Sequence, residues 1–222
     1  MKLQTNPFLI KDCALIAIAT GERAYNLREL RDNLRSIHPD SIYYHFWGGL
    51  LRPRFDDPEF NNDFAAWASH SLHDKKLAEC LGIIDPTDFS TLEALRQELI
   101  MVIEERMDEI EYLPWAQRDQ RFDFIRSQII IFDTAQKVFR PPELVKAVPG
   151  LSVGSIFYHF IDARRRTPNV RDDFTCWLEG FGDSYAGLRH EIDEIDPYFS
   201  TLTELREELT SLFREYFEES NK

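Results

Sequence analysis

The sequence predicts a mainly α-helical protein with a minor β component, an α+β fold built as two similar modules by internal duplication. Three observations lead there: four sequence blocks that recur in the same order, two long amphipathic periodicities, and a short isoleucine-rich run ahead of each set of helices. The blocks are specific. SIYYHF at Ser41–Phe46 recurs as SIFYHF at Ser155–Phe160, and NDFAAW at Asn62–Trp67 is answered by DDFTCW at Asp172–Trp177. IDP recurs at Ile84–Pro86 and Ile195–Pro197, and FSTLEALRQEL at Phe89–Leu99 returns as FSTLTELREEL at Phe199–Leu209. The offset is 110 to 114 residues throughout, so the expected modules are 1–113 and 122–219. Residues 114–121 form the connection, because Pro114 stops a helix and the polar residues after it suit a surface.

Each module is expected to open on a short strand, CALIAIAT in the first and QIIIFDT in the second, since both are rich in isoleucine and too short for a helix. Leu27–Ile37 then reads as a helix with Leu27, Leu30, Leu34 and Ile37 on one stripe, and Glu143–Val148 is its shorter counterpart. Asp40-Ser41 and Gly154-Ser155 supply N-cap chemistry for the helix carrying YHF. On that helix Ile42, His45, Phe46 and Gly49 share a face. Asp63 and Asp173 fit the start of the next helix, where a carboxylate suits the dipole, and Trp67 and Trp177 fit a core. Asp85-Pro86 and Asp196-Pro197 read as an N-cap followed by proline. The last helix of the first module begins on a capping box, Ser90 with Glu93; in the second only the cap, Ser200, is expected to survive. Arg96 and Arg206, one turn in, are placed to pair with a carboxylate of the preceding segment.

Charge narrows the function. With 26 Lys and Arg against 39 Asp and Glu the chain carries a net charge of −13, shared between both halves, so nucleic acid and anionic membranes are not expected partners. The first residues lack a signal-peptide run and no stretch is long enough to span a bilayer, which predicts a soluble cytoplasmic protein. Cys13, Cys80 and Cys176 form an odd set without metal-site spacing, and they are expected to be reduced thiols. No phosphate-binding glycine loop, nucleophile elbow or H-E-x-x-H motif occurs, so catalysis is left open with the balance against it, and no cofactor is expected. His70, His73 and Asp74 form H-x-x-H-D, but the second module has no counterpart, so no metal is assigned there.

The candidate site is a pocket for an anion. His45 and His159 lie on apolar helix faces, where ring nitrogens must be satisfied by a ligand or by the protein itself, through the backbone or Asp63 and Asp173. Arginines follow each histidine: Arg52 and Arg54 in the first module, Arg164, Arg165 and Arg166 in the second. Arginine grips carboxylate or phosphate bidentately, so these residues are the candidate ligand-binding set, supported by Asp63, Asp173, Trp67 and Trp177. The alternative use of the arginines is to answer nearby aspartates in the same loops.

The YHF, DFxxW and IDP-xx-FSTL-xx-LR blocks together resemble a prokaryotic protein family of unknown function. The resemblance covers nearly the whole chain and implies that the module is a family domain rather than a fragment. The expected function is a non-catalytic regulatory or binding protein that recognises an anionic small molecule or a partner protein. A metal-dependent or acid/base hydrolase using His45, His159, Asp63 and Asp173 is the rival from another class, and a structural module that forms a homodimer through its long helices is the third.

Overall fold

The computed structural model describes residues 6–52, 58–167 and 169–219, and it is mainly helical with one two-stranded antiparallel sheet. In chain order the elements are β1 (Phe8–Ala24), α1 (Leu27–Leu34), α2 (Pro39–Trp47), α3 (Asp63–His70), α4 (Lys75–Gly82) and α5 (Leu92–Glu109). After β2 (Phe122–Val138) come α6 (Leu144–Ala147), α7 (Val153–Ile156), a π-helical stretch Phe157–Asp162, and α8 (Ala163–Arg166). The chain ends in α9 (Asp173–Glu179), α10 (Ala186–Asp193) and α11 (Leu202–Glu219). Both strands are 17 residues long, far longer than the isoleucine-rich runs that predicted them. They begin at Phe8 and Phe122, upstream of those runs, because the strand starts are held by side chains from helices far away in sequence.

The chain divides into two compact units. The first is Leu15–Gln128, and the second joins Met1–Ala14 to Ile129–Lys222. The division passes through both strands, so each unit contains part of each. The helices α1–α5 thus share a unit with the start of β2, and α6–α11 share one with the start of β1.

Within the first unit Leu27, Leu30, Leu34, Phe46, Phe64, Leu95, Leu99 and Ile103 are fully or almost fully buried. Within the second, Phe157, Phe160, Phe174, Leu205, Leu209 and Phe213 do the same work. Each such side chain stabilises its unit by about 1.5–3 kcal/mol relative to an exposed position. The stripes read from the sequence are these faces.

Several caps lie away from their expected positions. α5 is capped by Thr91, whose hydroxyl accepts from Ala94 N, not by Ser90. The reciprocal capping box belongs to α11 instead: Thr201 Oγ1 accepts from Glu204 N, and Glu204 Oε2 accepts from Thr201 N at 2.8 Å. The reason is local, since the residue three past the cap is Ala94 in one helix and Glu204 in the other. α2 is capped by His38 and α7 by Ser152, so Ser41 is free to donate to Ile125 O of β2 at 2.8 Å. Arg96 donates to Leu34 O at the end of α1 and pairs with Glu93 Oε2 at 2.7 Å on its own helix, while Arg206 donates to Leu151 O at 3.0 Å. They satisfy carbonyls at turn ends that a helix leaves open.

Each strand also contains one left-handed residue, Gly21 at φ 88° and Ala135 at φ 58°. The residue before it turns its hydroxyl onto the backbone N–H two residues on, Thr20 to Glu22 and Thr134 to Gln136. The left-handed region costs a residue with a Cβ about 1–2 kcal/mol and glycine almost nothing. Ala135→Gly is therefore expected to stabilise the protein by about 0.5–1 kcal/mol, after the larger chain entropy of glycine is subtracted. Urea unfolding of the two proteins checks it, and a loss of stability would refute the strain.

Candidate functional site: two histidine clamps on the strand starts

In the first unit His45 is buried on α2. Its Nδ1 lies 2.8 Å from Asp63 Oδ2 and its Nε2 accepts from Ile125 N at 3.1 Å. A backbone amide can only donate, so Nε2 is bare and the ring proton sits on Nδ1, donated to Asp63. Burial pushes the His45 pKa below its ordinary 6.5, and the Asp63 hydrogen bond opposes that shift without overcoming it. The ring packs between Phe122, at 4.7 Å between centroids, and Phe64, at 5.3 Å.

The second unit repeats the arrangement. His159 sits in the π-helical stretch, with Nδ1 2.7 Å from Asp173 Oδ2 and Nε2 accepting from Lys11 N at 2.9 Å. Its ring packs against Phe8 at 4.8 Å and Phe174 at 5.9 Å. The tryptophans hold the same strands two residues upstream of these phenylalanines: Trp67 Nε1 donates to Gln120 O and Trp177 Nε1 donates to Asn6 O, both at 2.8 Å. Histidine, aspartate and tryptophan thus grip a strand start together. Every polar atom of the two imidazoles is engaged.

The described arginines are engaged by the same carboxylates and rings. Arg52 bonds Tyr44 Oη, covers its ring and lies 3.8 Å from Asp63 Oδ2. Arg166 donates to Asp173 Oδ2 and Asp162 Oδ2 at 3.0 Å each, and sits 3.9 Å above the Tyr158 ring. Arg165 pairs with the buried Asp162 at 3.0 Å, while Arg164 donates to Phe160 O and lies over that ring. Arg54 lies outside the described residues. The structure brings His45, Asp63, Trp67 and Arg52 together in one unit, and His159, Asp173, Trp177 and Arg166 in the other.

The residues of this geometry lie within a stretch that matches a known family. Residues 5–214 match the profile of DUF5752, described as a family of unknown function. The chain belongs to DUF5752. Among solved structures, OrfY from Thermoproteus tenax is similar over 95% of both chains, at 30% sequence identity and a TM-score of 0.82. No curated protein matches the chain.

Among the described residues no group of three or more His, Cys, Asp or Glu is arranged to take a metal ion. Of the H-x-x-H-D run, His70 pairs with Glu59 at the surface, His73 is exposed at φ 55°, and Asp74 caps α4 while accepting from Arg106. No described helix is long and apolar enough to cross a membrane. The three cysteines are free thiols. Cys13 is buried, donates to Gly154 O, and has its pKa pushed up to about 12 by desolvation and then by Asp162.

One buried carboxylate in the DUF5752 fold is incompletely satisfied. Asp172 caps α9 through Oδ1, which accepts from Thr175 N at 2.8 Å, but Oδ2 is buried with no hydrogen-bond partner. Desolvation raises its pKa above the ordinary 3.8. In the first unit the α3 cap is Asn62, whose Nδ2 donates to Leu81 O at 2.9 Å. The native state therefore holds the Asp172 proton to higher pH than the unfolded chain does. The stability this gives is complete below about pH 3.8 and is lost as pH rises through the folded-state value. Asp172→Asn is expected to stabilise the protein by about 1–3 kcal/mol at pH 7, with a smaller gain in acid. Urea unfolding across that pH range checks it, and equal stabilities throughout would refute it.

Phe8, Phe122 and the strand amides Lys11 and Ile125 are the site members that sequence reasoning missed. A signal existed: Phe8 and Phe122 are offset by 114 residues, as are the two YHF blocks.

Proposed function

We propose that this protein is a non-catalytic module that recognises a partner protein, built from two copies of one duplicated unit. The observation that carries the reading is that both ring nitrogens of His45 and of His159 are committed to the fold. A general base or metal ligand needs a free nitrogen facing solvent or substrate, and neither ring has one. Arg52, Arg165 and Arg166 spend their charge on Asp63, Asp162 and Asp173, which does not favour an anion pocket at these positions. The hydrolase reading is weakened for the same reason.

A partner protein is favoured over a small molecule by what lies outside. Tyr112, Trp115, Phe139 and Phe199 are exposed, and large aromatics are the residues that interfaces between proteins use most. The three free thiols and the acidic surface agree with a reducing cytoplasm.

The reading is tested by purifying the protein gently from its own cells and reconstituting any co-purified polypeptide with the purified chain. A stoichiometric complex is the expected result. Native mass spectrometry of the same material would overturn the reading if it found a retained metal or small ligand in place of a polypeptide.

A further inference from the structure

A groove of about 360 Å³ runs between α4 and α5 in the first unit. Its floor is apolar, formed by Leu77, Cys80, Ile84, Phe89 and Val102, and Ile83 stands at its edge 78% exposed. Ile83 therefore extends the apolar floor outward to the surface. The second unit differs at the corresponding positions. One and four residues before its IDP, where the first unit has Ile83 and Cys80, the chain carries Glu194 and Glu191, both exposed. At these two positions an apolar residue in the first unit stands where the second carries a carboxylate.

Charge selects the occupant. The two cations on the rim are already spent: Lys76 donates to both oxygens of Glu109, and Arg106 bonds Asp74 and Glu109. Asp88, Glu98 and Glu105 carry no ion pair among the described residues. An apolar floor under a rim of unpaired carboxylates, on a chain of net charge −13, fits an amphipathic segment with aliphatic anchors and basic flanks.

Building on the partner-protein reading above, we propose that this groove is the docking site, and that the partner's contact is a short basic amphipathic helix. An aliphatic side chain enters over Cys80 and Val102 beside Ile83, while lysine or arginine on either side meets Asp88, Glu98 and Glu105. Long-range attraction to the acidic surface speeds encounter, so binding weakens as salt rises.

The test uses the full chain and a capped synthetic peptide about four helical turns long, with leucines at i, i+3, i+4 and i+7 and lysines elsewhere. A second peptide replaces every lysine with glutamate. The lysine peptide is expected to bind at least about tenfold more tightly by calorimetry. At saturation it should slow alkylation of Cys80, followed by mass spectrometry, by a similar factor; Cys13 and Cys176 are poor competitors because burial pushes their thiols up to about 12 and about 11. Ile83→Glu places at the edge the residue the second unit already uses there, so the fold should survive. It should weaken the peptide about tenfold, and Glu98→Lys with Glu105→Lys should do so independently. Equal binding of the two peptides, or unchanged affinity in Ile83→Glu, overturns the proposal. Binding that leaves Cys80 unprotected also overturns it while sparing the partner-protein reading, which fails separately if no polypeptide reconstitutes. A dimer of the free protein that Ile83→Glu dissociates would assign the groove to a second copy and equally reject a basic partner.

Discussion

Replacing His45 by alanine is expected to cost about 3–5 kcal/mol of stability. The ring is buried between Phe64 and Phe122, so its removal leaves a cavity, and it also strips Ile125 N–H of its acceptor and Asp63 of its donor. These losses add, because one side chain supplied both the packing and the two bonds. The pH dependence carries a second signature. The folded-state pKa of His45 is lowered, so the unfolded chain takes up a proton first as pH falls. Stability is full above the ordinary value of 6.5 and declines as the solution is acidified below it. Protonation would also turn Nε2 into a donor facing the donor of Ile125. Denaturant unfolding of wild type and His45→Ala between neutral and mildly acidic pH checks both parts. A loss under about 1 kcal/mol at neutral pH would mean that the clamp is redundant.

Gly154→Ala should be nearly as damaging despite adding one methyl group. A Cβ at this position would run into Asp12 Oδ1 and Cys13 O, and the second of these is backbone in β1. Relief requires the strand to move off α7, which would lengthen the Cys13 Sγ bond to Gly154 O and pull Lys11 away from His159. A cost of about 2–4 kcal/mol follows, at the upper end for overpacking. Thermal unfolding measures it, and the accelerated exchange of the Lys11 amide with solvent would locate it. Stability within about 0.5 kcal/mol of wild type would refute the close approach.

These effects separate what the sequence made legible from what it hid. The helical stripes were readable because apolar spacing at 3.6 residues is a local property, and Leu92–Glu109 and Leu202–Glu219 lie where the periodicity put them. The block residues do meet in space: His45 bonds Asp63, and Trp67 bonds the segment that leads into β2. Their role was harder. Whether an imidazole nitrogen meets a ligand or a backbone amide depends on which strand lies above it, and Lys11 and His159 are 148 residues apart. Strand length was hidden for the same reason: the starts at Phe8 and Phe122 are fixed by distant helices, not by local propensity. The shift of the caps to Thr91 and Thr201 was a matter of one residue and needed only the question of which following side chain could return a bond.

The placement of each strand start also imposes an order on synthesis. As the chain leaves the ribosome, Leu15–Gln128 is complete once β2 has begun, and it can fold with all its partners in hand. The first strand start cannot, because its receiver begins with His159, 148 residues after Lys11, and is completed by Asp173 and Trp177. Until then Phe8 and Ile10 travel uncovered on a free edge, open to capture by the matching clamp of another nascent chain. Dense polysomes should therefore raise the fraction of chains that exchange arms, and slow translation should lower it.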